Sequence, residues 1–187
     1  MKVIHFIESG GPGGAERVFL TLSLALRERG VEVIPATLRR GWLTEELERE
    51  SFPYHQLPQS GRVALVRELR NLIQSHGAQI LHSHLLDSNF YGAIAARLCR
   101  VPHLGVEHGD VHHPQKKRLL SLKLRTISLL GSTLGAVSRY TARHAERLGA
   151  SQPLVVPNPV SFPLENPSGT LKKNGEYREK IRSELGA

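Results

Sequence analysis

The sequence predicts a doubly wound parallel α/β sheet, and three observations carry that prediction. Short strand-like runs alternate with longer helical segments along most of the chain, the pattern of parallel strands joined by crossover helices that cover both faces of a sheet. A glycine-rich turn at 10–14 joins the first strand to the first helix. Polar clusters recur where strands end, at 9–14, 82–84, 107–113 and 138–140, the carboxyl edge at which such sheets gather their ligands.

Residues 3–7 are apolar and β-rich and form the first strand, whereas Val18, Leu20, Leu22, Leu24, Ala25 and Leu26 give 17–29 a helical spacing closed by Gly30. Between them Gly10, Gly11, Gly13 and Gly14 are expected to take positive φ and let the backbone approach a ligand, with Pro12 stiffening the turn. Free backbone N–H groups and the positive helix end converge there, which suits an anion. The turn matches neither the dinucleotide fingerprint, whose last glycine it lacks, nor the phosphate loop, whose lysine it lacks. A tight connection without a ligand is the simpler alternative.

Residues 31–38 form the second strand, 42–50 a short helix and 54–57 the third strand, ahead of a loop at 58–61. Helical spacing returns over 63–75, 80–82 is the fourth strand, and the helix over 87–100 carries Gly92, Ala93, Ala95 and Ala96 for close packing on the sheet. A fifth strand at 102–106 leads through a polar turn to a basic helix at 116–130, then to strand 134–137, helix 139–148 and strand 154–156. Past Pro157-Asn158-Pro159 the composition becomes that of a linker, and 176–185 reads as a new charged helix. One domain is expected over 1–160, with 161–187 a linker and the start of a domain absent from the chain.

At 187 residues and 40% hydrophobic content the chain can bury a proper core. Its apolar runs fall well short of the roughly 18 residues of a membrane span, and no export signal opens it, so a cytoplasmic protein is expected. Cys99, the single cysteine, reads as packing. The net charge of +8 is concentrated: residues 112–148 hold eight Lys or Arg against Glu146 alone, so one face is expected to meet an anionic partner. Nucleic acid is not that partner, because Tyr140 is the one aromatic side chain among those basic residues.

Of ten histidines, His82, His84, His108, His112 and His113 fall after two neighbouring strands. Histidine titrates near neutrality and can donate a hydrogen bond, carry a proton or bind metal. His82 and His84 share one face of a strand and with His108 could supply zinc ligands, but no Cys pair or His-Glu-x-x-His helix supports a metal, and none is expected. Hydrogen bonding at strand ends is the plainer role for the individual rings.

The order of the pieces resembles a known family. Gly-Gly-Pro-Gly-Gly-Ala-Glu-Arg (10–17), Leu-Arg-Glu-Arg-Gly-Val-Glu-Val (26–33), Ile-Leu-His-Ser-His (80–84), Glu-His-Gly (107–109), Ala-Val-Ser (136–138) and Val-Val-Pro-Asn-Pro-Val (155–160) look like the amino-terminal domain of a GT-B glycosyltransferase of retaining family 4. The resemblance covers 1–160 and continues into the tail, with Pro159 where the family has glycine, which stiffens that turn. It implies a Rossmann-like half of a two-domain enzyme that moves a sugar from a nucleotide-sugar donor to a glycan or lipid-linked acceptor. This half would hold the acceptor, and the absent half the donor. Carried over by position, Gly13 and Gly14 would approach the donor diphosphate and His108 would be the catalytic side chain facing the sugar. Glu16, His84, Glu107, Asp110, Ser138 and Arg139 are the candidates for the rest of the cleft. Departure of a diphosphate builds charge that backbone N–H groups stabilise, while a neutral histidine steadies an oxocarbenium-like centre, so no metal or other cofactor is expected. Retention without an obvious carboxylate nucleophile implies departure and attack on one face. A lipid-linked acceptor would bring the chain to the inner face of the cell membrane, in cell-envelope polysaccharide synthesis, with Lys116, Lys117, Arg118, Lys123 and Arg125 as the docking surface.

Two rival functions stand beside this one. A phosphate- or nucleotide-binding module without catalysis would use the same glycine turn. A nicotinamide-dependent oxidoreductase predicts an acid ending the second strand, where Arg39 and Arg40 stand.

Overall fold

The computed structural model describes residues 1–109 and 117–158. Along these residues run β1 (Lys2–Ile7), α1 (Gly14–Glu28), β2 (Glu32–Thr37), α2 (Trp42–Arg49), β3 (His55–Gln56), α3 (Arg62–His76) and β4 (Ile80–His84). They continue as α4 (Leu86–Cys99), β5 (His103–Glu107), α5 (Lys117–Leu129), β6 (Thr133–Ala136), α6 (Arg139–Arg147) and β7 (Leu154–Val155). The strands are all parallel, in the order β3-β2-β1-β4-β5-β6-β7. The chain winds outward from β1 to one edge, crosses back through α3 to β4, and winds to the other edge. The doubly wound expectation holds, and the reversal of strand order falls between β1 and β4.

Alternation along β1 explains how the layers assemble. Ile4 and Phe6 join Ile34, Leu69, Ile73, Leu81 and Ala95 in a core under α3 and α4. Ile7 turns the other way and joins Phe19, Val33, Leu43, Leu47 and Phe52 under α1 and α2. A third cluster packs Leu120, Leu124 and Ile127 of α5 with Leu134, with Ala145 of α6 and with Leu148 just after it. Each fully buried aliphatic side chain contributes about 1.5–3 kcal/mol relative to exposure. Strand β2 tolerates Pro35 because Glu32 and Leu38, of the other parity, direct their N–H groups at β1, so Pro35 faces β3, which pairs only with Ala36 and Thr37.

The small residues of α4 do what their size suggests. A Cβ at Gly105 would lie 2.7 Å from Asn89 Cγ, and one at Gly92 would lie 3.0 Å from His103 Nε2. Helix α4 therefore lies close enough on the sheet to build a polar layer beneath it. Cys99 is half-buried at the edge of the α3–α4 core. Two boundaries differ from the sequence reading in ways that matter. Helix α1 starts at Gly14, which makes Gly13 its N-cap, and β4 runs on to His84, so His82 and His84 lie inside the strand and are buried. The expected domain boundary near residue 160 lies outside the described residues.

Candidate functional site

The glycine turn works differently from its sequence reading. None of Gly10, Gly11, Gly13 and Gly14 has positive φ. What Gly10 supplies is contact between loops: its carbonyl accepts the Leu43 N–H at 3.1 Å, and a Cβ there would stand 2.4 Å from the Arg39 carbonyl oxygen. Gly13 caps α1 with extended backbone and no side-chain cap, so the first-turn N–H groups remain available. Nothing lies within 4 Å of where a Cβ on Gly14 would stand. Of these glycines, Gly14 is therefore the one whose surroundings are open. Glu16 is buried in that first turn, and its carboxylate lies against Gly13. There it meets the positive helix end that an anion would also seek.

Behind the turn runs a row of histidines, built by register. Strand pairing sets His5 opposite His82, and alternation brings His84 to the same face. Ser23 Oγ lies 2.7 Å from His5 Nδ1, His5 Nε2 lies 2.6 Å from His84 Nε2, and His84 Nδ1 lies 2.6 Å from His108 Nε2. His84, expected in the cleft, is instead buried within β4 and touches His108. Burial, reinforced by repulsion among the rings, holds His5 and His84 well below their ordinary value, and burial takes His82 down to about 4. Burial also lowers His108, against a pull upward from Glu16. His82 Nε2 and His108 Nδ1 are buried with no hydrogen-bond partner among the described residues.

His5, His82 and His84 bring ring nitrogens within 4.8 Å of one another, the one such candidate metal group among the described residues. A ligating imidazole holds its metal near its ring plane. The rings of His5 and His82 are stacked 4.7 Å apart at 16°, so one ion cannot lie near both planes unless a ring turns.

The opposite face of β4 carries a second polar chain. Ser83 Oγ donates to Asn89 Oδ1 at 2.7 Å and lies 2.8 Å from His103 Nε2, whose Nδ1 lies 2.8 Å from Ser132 Oγ. Asn89 Nδ2 donates to Glu107 Oε1 at 2.8 Å. Glu107 belongs to this layer and not to the cleft: β5 turns it away from the histidine row, burial raises its carboxyl to about 7, and beside it lies a void of about 10 Å³, too small for a sugar. Ser138 spends its hydroxyl oxygen on capping α6, accepting the Thr141 N–H at 3.0 Å, and Arg139 is exposed on the first turn of that helix. Asp110, His112, His113 and Lys116 lie outside the described residues.

A pocket of about 490 Å³ opens at the carboxyl edge beside β1, β2 and β4, lined by Glu8, Ser9, Arg39, Gln59, Asp87 and Tyr91 among others. Burial raises Glu8 to about 7, Asp87 adding repulsion while Lys123 and Arg39 pull the other way. The sequence reading passed over these residues. Glu8 directly follows β1 and Asp87 opens α4 after β4, so the strand-end rule already pointed at them, but glycines and histidines were the louder signal. Lys123, read as a surface cation, pairs with Asp87 and lies 5.8 Å from the Phe90 ring centroid.

A doubly wound sheet gathers ligands at its switch point, and here an uncapped helix N-terminus and a polar pocket meet at that place. Residues 12–162 match the sequence profile of Glycosyltransferase Family 4, and the chain belongs to that family. Anabaena Alr3699/HepE, solved in complex with UDP, is 24% identical with a TM-score of 0.70, the match covering 100% of this chain and 50% of that one. A glycosyltransferase from Rickettsia africae ESF-5 is 18% identical with a TM-score of 0.73, over 99% of this chain and 49% of its own. The lipopolysaccharide outer core galactosyltransferase WaaB is 16% identical with a TM-score of 0.68, over 86% and 46%. The chain therefore has the Rossmann-like architecture of one half of a GT-B fold and spans about half the length of these structures. No curated protein sequence gives a significant match.

Proposed function

We propose that this chain is the acceptor-side domain of a retaining glycosyltransferase that moves a sugar from a nucleotide-sugar to a glycan or lipid-linked acceptor. The observation that carries this is the pairing, at one switch point, of an uncapped helix start at Gly13 and Gly14 with a 490 Å³ pocket whose walls offer carboxyl, guanidinium and hydroxyl groups. The first receives the donor diphosphate on backbone N–H groups. The second holds the acceptor, with Glu8, Asp87 and Arg39 bonding its hydroxyls. His108, neutral through burial, stands as hydrogen-bond donor beside the sugar, where charge develops as the diphosphate leaves. The departing phosphate oxygen then takes the acceptor proton on the face it vacates, without a metal.

In this proposal a second domain, following residue 160, grips the donor, and the present chain alone is inactive. The match to about half the length of the solved structures favours it. The proposed location is the cytoplasm, peripheral to the inner face of the membrane in cell-envelope polysaccharide synthesis; no helix among the described residues is long and apolar enough to cross a bilayer. The complexes of the Anabaena protein with UDP and UDP-glucose make UDP-sugars the first donors to try.

In the full-length protein His108→Ala is expected to lower kcat with UDP-glucose by about 100-fold, the loss of one preorganised donor, with an unchanged circular dichroism spectrum. Undiminished activity of that variant would remove His108 from the chemistry. UDP binding without sugar transfer to any acceptor would favour the binding-module alternative.

A further inference from the structure

We propose that Ser23, His5 and His84 are positioning residues that hold His108 in a single tautomer, the last member of a one-way hydrogen-bond chain that presents Nδ1–H. What that N–H meets rests on the function proposed above; the ordering of the chain does not.

The direction is set at its inner end. Ser23 is wholly buried in α1, and the hydrogen-bond partner recorded for its hydroxyl among the described residues is His5 Nδ1 at 2.7 Å. Other helical hydroxyls in the same protein behave otherwise: Thr126 and Ser128 donate to the carbonyls of Leu122 and Leu124 at 2.8 and 3.1 Å. A buried hydroxyl hydrogen is not left without an acceptor, so Ser23 donates to His5 Nδ1. A neutral imidazole carries one hydrogen. His5 therefore holds its own on Nε2 and donates to His84 Nε2, and His84 holds its own on Nδ1 and donates to His108 Nε2. The hydrogen of His108 is left on Nδ1, the buried atom with no partner among the described residues.

Counting hydrogens this way requires neutral rings, and burial with mutual repulsion keeps them so. It also requires rings that cannot turn. His5 is clamped between Phe19, stacked at 3.9 Å, and His82, stacked at 4.7 Å. The consequence is chemical: His108 carries a donor and no lone pair at Nδ1, so that nitrogen is not a general base.

Nuclear magnetic resonance of the 187-residue protein labelled with ¹⁵N-histidine reads each ring's tautomer directly. The expected result is N–H at Nδ1 for His108 and His84 and at Nε2 for His5. Ser23→Ala removes the hydrogen that sets the direction and should turn His108 into a mixture of tautomers, while Ser23→Thr, which keeps the hydroxyl, should restore one. Wild-type His108 protonated at Nε2, or a His108 signal unmoved by Ser23→Ala, would overturn the proposal; the wild-type measurement suffices should the alanine variant not fold. An active His108→Ala enzyme would refute the function and leave these tautomers untouched.

Discussion

Gly10 and Gly14 look alike in the sequence and carry different constraints in the fold. At Gly10 a Cβ meets the backbone carbonyl of Arg39, which cannot swing aside as a side chain can. Gly10→Ala is therefore expected to destabilise the domain by about 1–3 kcal/mol, the usual cost of overpacking, seen as a lower urea midpoint. Gly14 is the first residue of α1 and faces open space. Alanine is the better helix former by up to about 1 kcal/mol, so Gly14→Ala should keep or raise the midpoint. Weaker UDP binding by a full-length Gly14→Ala protein would then report a ligand approaching this helix end, since stability is spared. An equal loss of stability in both variants would refute the distinction.

At the scale of the element, α5 shows how far a helical wheel can be trusted. Its leucines divide: Leu120, Leu124 and Ile127 pack inward, whereas Leu119, Leu122 and Leu129 are exposed. Helical spacing sets Arg118, Leu122, Arg125 and Leu129 on one outward stripe in which cation and leucine alternate. An anionic membrane is the proposed partner of this stripe, with a smaller set of cations than the sequence suggested, because Lys123 is engaged by Asp87. Near an anionic leaflet each Lys or Arg contributes about 1 kcal/mol, and salt weakens it. Sedimentation with anionic vesicles should therefore exceed that with neutral ones, fall on adding salt, and be lost in Arg118→Glu/Arg125→Glu. Equal binding to both vesicle types, or none, leaves α5 an ordinary surface helix.

Across the whole molecule the buried histidines make the fold sensitive to acid. The folded-state values of His5, His82, His84, His103 and His108 lie below the ordinary 6.5, with His82 at about 4 and His103 at about 3. The unfolded chain thus binds more protons below pH 6.5, and stability is complete above that pH and falls as acid is added. Glu8 and Glu107, raised from 4.5 to about 7, act in the opposite sense, contributing stability at low pH that is lost as pH rises towards 7. Six depressed imidazoles, the part-buried His55 included, outnumber two raised carboxyls, so the urea midpoint should drop steadily from pH 7 to pH 5. A flat or rising midpoint over that range would show that the rings are solvated.

The order of strands and helices, the parallel winding and the edge at which the pocket opens were legible in the chain, because periodicity and turn residues are local and topology sets which edge of a doubly wound sheet is left open. His82 and His84 sharing a face was legible for the same reason. Register and packing were not. Which strand lies opposite His5, whether Gly10 touches Arg39, and that Glu107 and Glu16 end on different sides of the sheet all depend on contacts between residues far apart in sequence. Only the tertiary structure could join Ser23 to His108, since that chain of rings runs from a helix through two neighbouring strands to the residue following a third, and no local pattern shows which nitrogen meets which.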